Sequence, residues 1–194
     1  MDGIFFYWFG WFFWVIFTFI VPKNKIRTIY AMWILLIIGF SNLYLSFDSI
    51  ALSMSYLTLI LGAFILLSTL NRKGILLFSA FTMMIGYTSL LIWEVNAPVW
   101  LFMPRIIMIP ILCVCLAMLL TKKLYARFVI SVIGIGSGEF LYSVLLYNYS
   151  ITQAIGSLRF LDTLSVIVFL LVLIEAIHQG KAKLFLLLHK TNNI

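Results

Sequence analysis

Residues 122–146, KKLYARFVISVIGIGSGEFLYSVLL, decide the fold: two lysines stand at the foot of an apolar run, Leu124 to Leu146, whose only charges are Arg127 and Glu139. A run of this length matches the ~20 residues that a helix needs to cross ~30 Å of hydrocarbon. An unpaired backbone group there costs several kcal/mol, which favours the self-satisfied helix. Six further runs flank it: Ile4 to Val21, Ile26 to Phe47, Ile50 to Leu70, Ile75 to Trp93, Val99 to Leu120, and Phe160 to Ile177. The fold class expected is all-α, a polytopic transmembrane helix bundle of about seven spans.

Composition agrees. Apolar residues make up 64% of the 194-residue chain and charged residues 10%, where soluble domains hold about half and a quarter. The expected domains are a transmembrane helical domain, 1–179, and a short basic and apolar cytoplasmic tail, 180–194. Little chain remains for a soluble catalytic or nucleotide-binding module.

The net charge of +7 follows topology and not nucleic acid. Lys23, Lys25 and Arg27 follow the first run, Arg72 and Lys73 the third, Lys122, Lys123 and Arg127 the fifth, and Lys181, Lys183 and Lys190 the seventh. Cytoplasmic loops hold the excess of Lys and Arg, so the N-terminus is expected outside and the C-terminus inside. Asp2, Asp48, Glu94 and Asp162 then fall on the outer side. The first run lacks a basic n-region and a small-residue cleavage site, so it reads as a retained span.

Arg105 and Glu139 are the charges read as lying well inside the hydrocarbon. Counted from Val99 and Leu146, each lies about seven residues in, roughly 10 Å deep. A lone charge at such depth costs at least ~2.5 kcal/mol, which makes a mutual ion pair the expected arrangement. Asn42, Glu94 and Tyr142 join them as candidate lining of an outward-facing polar cavity, with Thr88, Ser89 and Ser143 nearby. The plainer reading is a pair that fixes helix register.

Other features read as structural. Gly134 and Gly138 form a small-x-x-x-small pair for helix packing, with Gly136 off that face and expected to tolerate Ala. The first run holds eleven aromatic residues between Phe5 and Phe19, read as an interfacial belt, although Tyr7, Trp11 and Trp14 share a helix face that suits an aromatic ligand. Glu175 and His178 lie one turn apart and read as an interfacial pair near Lys181. Cys113 and Cys115 fall on opposite helix faces and suit packing. Tyr147 to Arg159 is the one loop long enough to fold back over the outer end.

Chemistry is sparse. His-Glu-x-x-His is absent, no Gly-Lys-Ser/Thr follows the glycines, and both histidines fall on the cytoplasmic side, away from Ser137. No metal, cofactor or enzymatic activity is expected. A parallel repeat of the small sugar transporters would need their Pro-Gln signature, and a vitamin-transporter binding subunit its Ala-x-x-x-Ala first helix; both are missing.

The opening Met1-Asp2-Gly3-Ile4, the Tyr7-Trp8 and Trp11 cluster and the Pro22-Lys23-Asn24-Lys25 exit resemble the YphA-like family of small membrane proteins of endospore-forming Firmicutes. That resemblance implies a multi-pass protein of a bacterial plasma membrane and transfers no residue roles. The function expected is binding or transport of a small solute or ion through the polar cavity. The alternative is a structural or regulatory component that works by assembly. Its partners would be the lipid bilayer and a second membrane protein or copy of itself, with no nucleic acid.

Overall fold

The computed structural model describes residues 2–47, 50–97 and 103–191. Seven α-helices follow in order: α1 Ile4–Val15, α2 Lys25–Gly39, α3 Met54–Ser68, α4 Lys73–Asn96, α5 Arg105–Leu120, α6 Leu124–Asn148 and α7 Leu158–Thr191. Two short strands, β1 Tyr44–Phe47 and β2 Ile50–Ser53, separate α2 from α3. Among the described residues three helices are long and apolar enough to cross a membrane: Lys73–Asn96, Leu124–Asn148 and the Leu158–Lys181 part of α7. Ile4–Ile20, Met54–Ser68 and Arg105–Leu120 are apolar but shorter.

Successive helices alternate in direction. At one end the Arg105 guanidinium of α5 meets Glu94 of α4, and the start of α1 meets the start of α7. At the other end Arg127, early in α6, meets Glu175, late in α7. The first is the hairpin end, because β1 and β2 lie there; the second is the basic end.

Packing centres on α6, whose buried residues run almost without interruption from Val129 to Glu139. Glycines set that packing. A Cβ at Gly134 would fall 2.7 Å from the Ala80 carbonyl oxygen, and one at Gly138 would fall 3.0 Å from that of Met84, so both face α4 at close range. Thr88 Oγ1 donates to the Gly138 carbonyl at 3.1 Å, and Tyr56 of α3 donates to that of Gly136 at 3.0 Å. Gly136 is off the α4 face, as its spacing requires, but it is not idle: it leaves room for the end of Ile60 of α3, which a Cβ there would meet. Five helices then close a ring in the order α1, α2, α3, α6, α7 and back to α1, while α4 and α5 pack outside it against α6 and α7.

Several expected boundaries are corrected. The run Ile26 to Phe47 is not one helix: α2 ends at Gly39, and Ser41 and Asn42 turn the chain into β1. β1 and β2 pair antiparallel, Tyr44 opposite Ser53 and Phe47 opposite Ile50. The run Ile50 to Leu70 therefore begins as a strand. Hydropathy counts apolar residues whatever their period, and short apolar runs read alike as helix or strand. The loop after α6 folds back onto this hairpin: Ile155 N–H donates to the Ala51 carbonyl at 2.8 Å, and Ser53 N–H to the Ile155 carbonyl at 3.0 Å. α7 runs on through Gly180 to Thr191, so residues 180–191 continue that helix. Asp48 and Val99 lie outside the described residues.

Asp162 ties the start of α1 to α7. Its carboxylate accepts the N–H groups of Gly3 at 2.6 Å and Phe6 at 2.8 Å, capping α1 from the second turn of α7. Capping satisfies backbone donors that the helix itself leaves orphaned, and a negative charge suits that end of the dipole. Arg159 reinforces it by donating to Asp2 at 3.0 Å.

Gly138→Leu is expected to lower stability by about 1–3 kcal/mol through overpacking against α4. Gly136→Ala should cost less, because the obstructing atom is the mobile end of Ile60. Thermal unfolding of the purified variants checks the order; equal tolerance of Leu at 134 and 138 would remove the glycine contact as the organising feature.

Candidate functional site

The polar residues singled out by the sequence do not form one cluster. Arg105 is the first residue of α5, preceded by Pro104, and not a mid-helix residue. Its Nη1 lies 3.4 Å from Glu94 Oε2. Glu139 is 3% exposed and takes a hydrogen bond at 3.3 Å from the hydroxyl of Tyr87, itself fully buried. The expected Arg105–Glu139 ion pair is therefore corrected: each has its own partner, though the two remain within electrostatic reach. The matched depth failed because it counted helix from Val99, whereas α5 starts after a proline that has no N–H to continue a helix backwards.

Tyr142 is half-buried and close to the charges of Arg105, Glu94 and Glu139. Asn42 is elsewhere: its amide donates to the Tyr7 hydroxyl at 3.2 Å, and that hydroxyl pairs with Ser41 at 2.8 Å. The space beside Glu94 is about 20 Å³, walled by Trp93, Met108 and Leu112. Arg105 Nε and Ser143 Oγ are buried without a hydrogen-bond partner among the described residues. This arrangement is a packed ion pair beside a buried carboxylate–phenol bond, with little space beside Glu94.

The large void is apolar and lies inside the five-helix ring. It has a volume of about 360 Å³, within the range of small-molecule sites. Phe6, Gly10, Phe13 and Phe17 line it from α1 and its continuation, with Trp33 and Ile37 from α2. The i, i+4, i+7, i+11 spacing places these four on one helix face. The helix loosens to π geometry over Ile16–Ile20, which carries Phe17. Trp33 is fixed by a hydrogen bond from its indole N–H to the Thr58 carbonyl at 3.1 Å, and Gly62 makes room for its ring. The far wall is α6 and α7, including Phe128, Val132, Leu164 and Val168. Ser165 also lines the void.

The ring closes tightly at the hairpin end, where Phe6, Ile37 and Leu59 are buried, and loosens at the basic end, where Phe17, Tyr30 and Leu66 are half-exposed and Tyr125 is exposed. The aromatic face considered from sequence is a different one: Tyr7 serves the turn after α2, and Trp11 is 49% exposed and stacks edge-on with Trp14 at 5.7 Å. A pattern search for Phe or Gly at i, i+4, i+7 and i+11 would have found the lining face.

At the basic end Glu175 is held by Arg127 at 3.7 Å and by Gln179 at 3.1 Å, so the expected link to His178 is replaced by one to α6. Cys113 is buried and Cys115 exposed, both as free thiols. Among the described residues no group of three His, Cys, Asp or Glu side chains could hold a metal ion.

Three apolar helices of bilayer length, α4, α6 and α7, mark an integral membrane protein. The chain belongs to the YphA-like integral membrane protein family, whose family model matches residues 2–193. A relative in Bacillus subtilis (strain 168), named uncharacterized protein YphA, is 27% identical over 172 residues, covering 85% of this chain and 83% of that protein. No solved structure matches the chain.

A double-mutant cycle should give Arg105→Met and Glu94→Gln a coupling of about 0.5–1 kcal/mol, and Arg105→Met with Glu139→Gln a smaller one. Unfolding of the four proteins of each cycle provides the measurement. A larger coupling to Glu139 would restore the pairing that the geometry denies.

Proposed function

We propose that this protein is a non-enzymatic, seven-span protein of a bacterial plasma membrane that binds an apolar small molecule inside its helix ring. One observation carries the reading: a void of about 360 Å³, ringed by five helices and lined by aromatic and aliphatic side chains. An elongated apolar void is favourable for a hydrocarbon occupant, because filling it restores the dispersion contacts that its lining otherwise lacks. The interior suits such a molecule and not the polar solute or ion that the charged residues suggest. Transport would need the ring to open at its hairpin end as well.

The seven-span topology rests on charge. Lys23, Lys25, Arg27, Arg72, Lys73, Lys122 and Lys123 all sit at one end of alternating helices, which the positive-inside rule puts in the cytoplasm. The shorter helices are compatible with crossing because the hairpin and loops extend them. Non-helical backbone near membrane depth is tolerated where protein covers it, and Ile155 covers β2 by hydrogen bonds.

Two measurements test this. Reporter fusions after Lys25, Lys73, Lys123 and Lys190 should all report cytoplasm; an external signal at any of them overturns the topology. Native mass spectrometry of the protein released from membranes should show an adduct that Val168→Phe, which fills the void, removes. An adduct unchanged by that substitution would place the ligand elsewhere.

A further inference from the structure

The open end of the ring cavity is bordered by two loops that hold exposed lysines. The first joins α1 to α2 and carries Lys23, with Lys25 opening α2; the second joins α5 to α6 and carries Lys122 and Lys123. Both loops run directly into lining residues: Phe17 and Tyr30 flank the first, and Leu124 and Tyr125 follow the second. The arginines of these loops are occupied in holding backbone. Arg27 donates to the Thr18 carbonyl at 3.1 Å, while Arg127 donates to that of Thr121 at 2.8 Å and pairs with Glu175. The four lysines are exposed and make no ion pair among the described residues. At the mouth the phenol of Tyr30 stands against that of Tyr125, and its ring packs on Phe17 with centroids 5.6 Å apart. Hydroxyl donors thus sit at the boundary between the apolar interior and the lysines.

We propose that the occupant is an anionic amphiphile with a single hydrocarbon chain, the chain lying in the ring and the anionic headgroup at Tyr30, Tyr125 and the four lysines. This deepens the reading of the cavity as an apolar ligand site and rests on it. The void runs along α1 from Phe6 to Phe17, about 16 Å at 1.5 Å per residue. Its closed hairpin end fixes which way the chain points. At about 360 Å³ it lies near the small end of ligand sites, which suits one chain and not a two-tailed phospholipid. The headgroup is a carboxylate or a phosphate, since clustered ammonium groups attract either.

The test uses the full-length protein in phosphatidylcholine nanodiscs and native mass spectrometry with three twelve-carbon probes: dodecanoate, dodecyl phosphate and dodecanol. Both anions should bind one per protein, at least about tenfold tighter than the alcohol at low salt, and their ratio names the headgroup. Changing Lys122 and Lys123 together to Gln should weaken the anions several-fold and leave dodecanol unchanged. Val168→Phe, or the milder Ser165→Ile, should weaken all three. Equal binding of anions and alcohol, both lost on filling the void, would overturn the headgroup assignment and leave the apolar site standing. Binding of no probe by a protein with an intact helical circular dichroism spectrum would overturn both. Anion binding that ignores the filling variants would mean surface adsorption and overturn the proposal.

Discussion

Close backbone approach along α6 is the constraint on which the rest of the structure depends. Helices in a bilayer gain little from the hydrophobic effect against one another, because lipid tails are as apolar as leucine. What holds them is contact at short range. Gly134 and Gly138 let α4 come near enough for Thr88 to reach the Gly138 carbonyl, and the Gly136 carbonyl receives the Tyr56 hydroxyl from α3. A central helix fixed on two sides can hold α7 on a third, and the ring is then completed by α1 and α2. The void is what remains when five helices surround a centre that none of them fills.

The division of labour between the two halves follows. On the outer side of α6, α4 and α5 bury Glu139 against Tyr87 and set Arg105 against Glu94, with little space between. Inside the ring, space is plentiful and polarity is nearly absent. Charge and volume, which a polar solute site would need together, are on opposite sides of α6. That separation turns the reading away from an ion path and toward a hydrocarbon occupant.

Sequence reasoning reached the helical class because the lengths of the runs at Ile75, Leu124 and Phe160 leave few alternatives once the backbone must satisfy itself. It missed the hairpin because Tyr44–Phe47 and Ile50–Ser53 are as apolar as the helices beside them. It identified Glu94 and Arg105 separately, yet paired Arg105 with Glu139, since depth had to be counted from a helix start that Pro104 displaces. Asn42 was assigned by depth alone, and depth does not say which side of the bundle a residue faces. The cavity was obscured for another reason: attention goes to polar residues in an apolar chain, while a site built from Phe6, Gly10, Phe13 and Phe17 has the same chemistry as ordinary packing.

Asp162 has a consequence for how the molecule is made. Synthesis proceeds from the N-terminus, so α1 emerges well before α7, yet the carboxylate that satisfies the Gly3 and Phe6 N–H groups belongs to α7. Throughout assembly of the intervening helices, the start of α1 must find its partners in water or headgroups. The ring is likewise an open arc until α7 arrives, with the aromatic face of α1 uncovered on that side. Closing the ring and capping α1 therefore both wait for α7, so the step that completes the wall of the void also satisfies the first backbone donors of the helix that lines it.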